Sequence, residues 1–334
     1  MGSGGTYIST KEFAWCRRVR EIGIVRPKPM VNSLEAAVPE YRRGHMESRL
    51  ASAFPHAFDR QYAVVKPSYP LITVLYLLKI QELAAVPLTS GRREENRAVF
   101  GFSSLEKLVK LGPTRFAALL RKPCEGAAEE LDCLTTDQDL SDLLESFKAR
   151  GLGCAVLRAP GPYGRRTLLT LSDVLRLYER GLIKTDMVAQ DVASPIFSMP
   201  GDASIRDALR AMFKHQFRRV FISDDGRYIS ERTVINHILN PMALVGLDEE
   251  PPADHLAAPI GRLESDAPVP MGPRLPLKDA ATKLRKRGGG CLIMNGDEVV
   301  TPWDLVMKPW ISGRLVISEI GKVPIVKAAS KSHR

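Results

Sequence analysis

Val299-Val300-Thr301-Pro302-Trp303-Asp304 decides the fold, because the chain repeats its pattern. A short apolar strand runs into a hydroxyl residue, the hydroxyl opens a helix, and an acid follows three residues on. Thr170-Leu171-Ser172-Asp173 has the same form, and Ser104-Leu105-Glu106-Lys107 and Ser230-Glu231-Arg232-Thr233 read as looser counterparts. The four hydroxyls lie 66, 60 and 71 residues apart. A repeat of that period marks one supersecondary unit, which buries its apolar face by stacking on its copies.

Working outward, each hydroxyl is preceded by an amphipathic helix with apolar residues at i, i+3, i+4 and i+7. They are Leu71, Val74, Leu75 and Leu78; Leu140, Leu143, Leu144 and Phe147; Ile205, Ala208, Leu209 and Met212; and Leu277, Ala280, Ala281 and Leu284. Asp139, Asp202, Pro70 and Pro276 supply start signals near these helices. Two short strands follow each helix, such as Arg219-Val220-Phe221-Ile222 and Tyr228-Ile229, parted by turn residues such as Asp224-Asp225-Gly226. Each copy therefore reads helix–strand–strand–helix behind one further strand.

This pattern resembles the CBS domain, the module named after cystathionine β-synthase, over about residues 61–310. The third copy is the clearest, from Asp202-Ala203-Ser204-Ile205 through His215-Gln216-Phe217-Arg218-Arg219-Val220 to Gly226, and the hexapeptide at 299–304 is similar to the family's ligand signature. The resemblance implies an α/β fold of four tandem CBS repeats forming two pseudo-twofold pairs. The first pair spans 61–183, with repeats at about 61–115 and 116–183; the second spans 184–310, with repeats at about 184–245 and 246–310. A basic extension over 1–60 and a basic tail over 311–334 flank them. The same arrangement is found in the gamma subunit of AMP-activated kinase and in archaeal four-repeat proteins.

The chemistry at the hydroxyls can be read from the residues. A helix N-terminus leaves backbone N–H groups unpaired and carries partial positive charge, which suits phosphate. An ionised Asp accepts two hydrogen bonds, which fits a ribose diol. The plain alternative is helix capping by hydroxyl and acid. The family resemblance assigns the hydroxyl and acid to AMP, ADP or ATP, held as a regulatory ligand rather than a required cofactor. Carried onto this chain, that makes Thr170, Asp173, Thr301 and Asp304 the nucleotide-binding residues. Lys107 and Thr233 replace the acid in the other two copies, so those sites are expected to be empty or to assist the opposite site with phosphate contacts through Ser104 and Ser230. His215, Arg218 and Arg219 stand where the family often supplies cations to phosphate; the alternative is a solvated helix end and strand edge.

Composition bounds the rest. With 334 residues, 44% hydrophobic and 26% charged, the chain has room for two ordinary cores. The apolar run Leu71–Leu78 stops at Lys79, far short of the roughly 20 residues of a membrane helix. A cytoplasmic protein is expected, and scarce Asn and Gln, five of each, lean towards a thermophile. The five cysteines form no C-x-x-C pair, so no metal site is expected, and Cys154 and Cys291 read as small buried hydrophobes at equivalent strand positions. No catalytic signature is present, and the flanks are too short for an attached catalytic domain.

The net charge of +10 is concentrated at the ends. Residues 1–60 hold ten Lys or Arg against six Asp or Glu, residues 311–334 hold five against one, and the repeats between are nearly neutral. Arg17, Arg18, Arg20, Arg26, Lys28, Arg42, Arg43, Lys322, Lys327, Lys331 and Arg334 are the candidate RNA contacts, with Tyr7, Phe13, Trp15 and Tyr41 among them for base stacking. Three readings of the partner follow. The favoured one is rRNA in the ribosome, with translation silenced or ribosomes hibernating at low energy. The second is a protein enzyme controlled as by the kinase gamma subunit, and the third is DNA, as for a transcriptional regulator. Self-association through the pairs is a further expectation.

Overall fold

The computed structural model describes residues 49–60, 63–90, 93–110, 118–160, 165–240, 254–286 and 290–317. All the basic residues named above as RNA contacts lie outside the described residues.

Four units of one design follow each other. In unit 1, α2 (Leu71–Ile80) leads to β1 (Ala85–Ser90), β2 (Arg93–Phe100) and α3 (Gly101–Val109), with the single turn α1 (Leu50–Ala53) ahead of them and β3 (Ala128–Glu130) paired antiparallel with β2 after them. Unit 2 has β4 (Cys133–Thr135), α4 (Leu140–Arg150), β5 (Cys154–Arg158), β6 (Arg166–Thr170) and α5 (Leu171–Glu179). After β7 (Ile183–Lys184), the short helix α6 (Ala189–Val192) and β8 (Ser194–Pro195), unit 3 has β9 (Ser198–Met199), α7 (Ile205–His215), β10 (Arg219–Ile222), β11 (Tyr228–Ser230) and α8 (Glu231–Ile238). Unit 4 has β12 (Val269–Pro270), α9 (Leu277–Lys286), β13 (Leu292–Met294), β14 (Glu298–Val300) and α10 (Pro302–Ile311). In units 2, 3 and 4 the outer strand pairs parallel with the first hairpin strand, which pairs antiparallel with the second. Unit 1 reduces the outer strand to one parallel bridge, Val65 to Leu88.

The helices form where the apolar period placed them. Every i, i+3, i+4, i+7 residue named for the four first helices is buried. Their ends are made locally. Asp139 and Asp142 form a reciprocal cap on α4, which stops at Gly151 in the left-handed region at φ 66°. Ser204, rather than Asp202, caps α7 by accepting from the Asp207 N–H at 3.1 Å.

The segment ahead of each unit is bonded to a neighbour. Leu50 N–H donates to Gln138 O and Ala51 N–H to Thr136 O, so the lead-in to unit 1 lies on unit 2. In return Leu71 N–H donates to Lys122 O and Cys124 N–H to Tyr69 O. Units 3 and 4 exchange in the same way, through Ala189 N–H to Leu275 O and Ile260 N–H to Ala203 O. Leu50, Ala53, Phe54 and Ala57 are buried, and so is Leu315. At the other end β15 (Val316–Ile317) pairs with β7 (Ile183–Lys184). The folded body therefore starts before residue 61 and runs past 310, because both expected flanks carry apolar residues that complete its core.

Two kinds of packing hold the units together. Small seams join sheet to sheet: Ala85, Ala98, Phe100, Cys154 and Val156 between units 1 and 2, and Phe221, Tyr228, Cys291 and Val299 between units 3 and 4. Burial pushes the Cys154 thiol up to about 12 and the Cys291 thiol up to about 11, so both stay neutral in the seams. Two larger cores run crosswise. One joins unit 1 to unit 3, including Leu105 and Leu108 of α3 with Leu209 and Ile235. The other joins unit 2 to unit 4, including Leu175 and Tyr178 of α5 with Ala281 and Leu305. Gly101 opens α3 at a close approach to α8, where an added Cβ would lie 2.6 Å from Ile235 Cδ1.

Candidate functional site

Three of the four second helices begin as the repeat predicts. Thr170, Ser230 and Thr301 each leave a strand in extended conformation and cap the helix that follows. The residue three positions on turns its side chain back to the cap N–H, which satisfies two orphan groups at once.

The first copy departs from its expected register. Strand β2 keeps its pairing as far as Phe100, opposite Ala85, and α3 begins at Gly101. Phe100 is thus the cap, Ser103 stands at the acid position, and Ser104 lies inside the helix. Ser104 is fully buried and donates to Phe100 O at 2.7 Å. It is not placed to meet phosphate, and Lys107 is one turn beyond the position assigned to it.

The third copy holds the neutral form of the cap. Ser230 N–H donates to Thr233 Oγ1 at 3.1 Å, and Thr233 N–H reaches Ser230 Oγ at 3.4 Å. The acid of this copy stands instead at the first helical position, Glu231, 3.8 Å from Arg218.

The two complete motifs have the same cap but different surroundings. Asp173 and Asp304 are 2% and 5% exposed. Asp173 Oδ2 accepts from Thr170 N–H at 2.9 Å and from its hydroxyl at 3.2 Å. Asp304 Oδ2 accepts from Thr301 N–H at 2.9 Å and from its hydroxyl at 2.7 Å. The difference lies at Oδ1. In unit 4 it accepts from Ser194 Oγ at 2.9 Å and meets Lys308 Nζ at 3.1 Å. Lys308 also donates to Val192 O, Ala193 O and Ser194 Oγ at 2.7–2.8 Å. One acid and one ammonium cancel, and protein oxygens surround the ammonium, so the network ties the lead-in of unit 3 to α10.

In unit 2, Asp173 Oδ1 meets Arg60 at 2.6 Å and Arg176 at 3.6 Å. Arg60 is 34% exposed and Arg176 52%. Two guanidiniums beside one carboxylate leave positive charge in excess at a helix N-terminus, where the dipole already disfavours cations. An anion would relieve both. The two motifs thus differ in charge: two guanidiniums stand beside the carboxylate at the Thr170 site, and one ammonium stands beside it at the Thr301 site.

The three expected phosphate cations do not converge. His215 is exposed at the end of α7 and stacks near-parallel on Phe217, ring centroids 5.6 Å apart. Arg218 lies 5.3 Å over the Phe102 ring of unit 1 and 3.8 Å from Glu231. Arg219 turns to unit 4, donating to Gly290 O at 3.1 Å and lying over Tyr228. Arg218 lies in the bend before β10 and turns to unit 1, whereas Arg219 opens the strand and turns to unit 4.

The repeat pattern does not single out Arg60, Arg176, Ser194 or Lys308. Arg176 and Lys308 follow their acids at i+3 and i+4, a spacing that marks helical ion pairs. Arg60 and Ser194 lie 113 and 110 residues from the acids they meet, and no local pattern points to them.

A cleft of about 590 Å³ opens elsewhere between units 1 and 2, lined by Arg97, Ala128, Glu129, Glu130, Arg150 and Leu152. On its border, Asp132 accepts a forked pair from Arg150 at 3.0 and 2.9 Å and a bond from Ser146 at 2.8 Å. Burial alone would raise this carboxyl; the Arg150 and Ser146 bonds outweigh it and hold it low. Among the described residues no group of three or more His, Cys, Asp or Glu could hold a metal ion, and no helix is long and apolar enough to cross a membrane.

Comparison with known proteins bears on this geometry. Residues 188–240 match the CBS domain family model. The fold is that of tandem CBS repeats. A Methanocaldococcus jannaschii protein, MJ1225, likened to g-AMPK, superposes with a TM-score of 0.66 at 16% identity, covering 78% of this chain and 99% of that one. A conserved Pyrococcus horikoshii protein gives 0.41 at 12% identity, covering 67% and 89%. The Pyrobaculum aerophilum CBS domain protein PAE2072, complexed with AMP, gives 0.28 at 17% identity, covering 38% and 99%. No sequence among curated proteins matches this chain.

Proposed function

We propose that the chain is a non-enzymatic regulatory protein of four CBS repeats that binds one adenine nucleotide, AMP, ADP or ATP, at Thr170 and Asp173. The observation that carries this is the surplus of guanidinium over carboxylate at the start of α5. The phosphate would sit on the α5 N-terminus, beside the Thr170 hydroxyl and Arg176, and the ribose diol would donate to Asp173. The Thr301–Asp304 motif is given a structural role, since Lys308 already neutralises its acid.

Saturation at about 100 times Kd should stabilise the fold by roughly 2.7 kcal/mol, read as a melting shift with AMP or ATP. Asp173→Ala should abolish that shift. A shift that survives in Asp173→Ala would remove the site from unit 2.

The proposed partner is RNA-rich, with the ribosome favoured, and rests on the basic residues at the two ends of the chain. Binding to purified ribosomes should weaken steeply with salt, with a log–log slope near −0.7 to −0.9 for each phosphate contact. A flat salt profile contradicts it and favours the second reading, a subunit that controls a protein enzyme. That reading has the likeness to MJ1225 on its side.

A further inference from the structure

A proline stands inside α10, and a side chain of another unit makes up for it. A residue at this position of a helix gives its N–H to the carbonyl one turn back, here Leu305 O. Pro309 has no N–H to give. Leu305 and Pro309 are both buried, so water does not serve that carbonyl, and a buried acceptor without a donor is costly. The donor comes from the last turn of α5. The Tyr178 hydroxyl reaches Leu305 O at 2.8 Å. Tyr178 is 1% exposed, and burial pushes its phenol above the ordinary range, so it stays protonated and donates.

The arrangement is particular to units 2 and 4. Eight residues beyond the cap stand Leu108 in unit 1 and Ile238 in unit 3, both buried and apolar. The same position holds Tyr178 in unit 2 and Pro309 in unit 4. The tyrosine and the proline it serves thus occur together, in the crosswise pair that carries both complete motifs. Asp304 and Lys308 adjoin Leu305 and Pro309 in the chain. The turn that Tyr178 holds is therefore the one that presents the Lys308 network to Ser194.

We infer that Tyr178 is a positioning residue: its hydroxyl replaces the N–H that Pro309 lacks and makes the Asp304–Lys308 turn of α10 depend on α5. Opening α5 would strand Leu305 O, so the two helices open together. A ligand that steadies α5 at Thr170 and Asp173 then steadies α10 and the lead-in of unit 3 bonded to it, with both helices staying in the core. This second step rests on the nucleotide reading of the Thr170 site; the first does not.

The test joins a mutant cycle to hydrogen exchange, both on the full chain. Tyr178→Phe keeps the ring and should lower Tm by about 2–4 °C. Pro309→Ala supplies the missing N–H, so it should raise Tm more in the Tyr178→Phe chain than in wild type. Equal gains in the two chains refute the replacement. If Tyr178→Phe does not fold, recovery of folding in the double variant supports the replacement and its failure refutes it. Saturating ATP or AMP should slow exchange in peptides covering 171–179 and 302–311 of wild type, beyond any change in 205–215 of the other core. In Tyr178→Phe the slowing should stay within 171–179. Slowing of 171–179 alone in wild type, or equal slowing of both peptides in both chains, refutes the coupling and leaves the nucleotide site standing. If neither peptide responds in wild type, the nucleotide reading has failed and the coupling with it, while the mutant cycle still decides the role of Tyr178.

Discussion

Asp173 and Asp304 occupy the same place in the same cap, and they differ in the groups that meet Oδ1. Lys308 reaches back one turn to Asp304 and is held there by Ser194 and two carbonyls. Removing it would strand a nearly buried carboxylate and two acceptors. Lys308→Met is therefore expected to lose about 2–4 kcal/mol in urea unfolding, reduced from a fully buried pair because the ammonium is partly exposed. Adding Asp304→Asn should recover part of that loss, as residues in one network do not add. No loss in the single variant would mean the network is decorative. At this scale the sequence was partly readable. The hydroxyl and acid three apart is a local signal, and so are Arg176 and Lys308 beyond it. In the proposed reading the residue meeting Oδ1 separates cap from ligand site, and in unit 2 that residue is Arg60, 113 positions away.

Helix starts show where a pattern of types misleads about position. In unit 1 the run Ala98-Val99-Phe100-Gly101-Phe102 has no hydroxyl where the strand ends, and the second of the two serines that follow, Ser104, reads as the opening residue. The chain makes the turn without a polar cap because Gly101 lets α3 lie against α8. Gly101→Ala places a methyl against Ile235 Cδ1 and is expected to cost about 1–3 kcal/mol in thermal unfolding. Ile235→Val in the same chain should restore part of it. An unshifted melting temperature in Gly101→Ala would show that the two helices have slack. The first helices were read correctly because their signal is burial itself. All sixteen apolar positions named from the period of 3.6 are buried, as that spacing puts them on one face.

Across the whole molecule, four units share one fold and differ in chemistry. Their order along the chain suggested the pairs 61–183 and 184–310, and the exchanged lead-ins do join unit 1 to 2 and unit 3 to 4. The larger cores instead cross between them, α3 with α7 and α8, and α5 with α9 and α10. No periodicity could reveal this, since a buried helix face looks the same whichever helix covers it. Crosswise cores also explain why apolar residues of both expected flanks, Leu50 and Leu315 among them, belong to the folded body. Within that frame the Thr170 unit sets an acid and a hydroxyl beside two guanidiniums, and the proposed nucleotide site rests on it. Stoichiometry tests this most directly. Calorimetric titration of the full chain with AMP or ATP should give one site per chain, kept in Asp304→Ala and lost in Asp173→Ala. Two sites per chain, one of them lost in Asp304→Ala, would contradict the account.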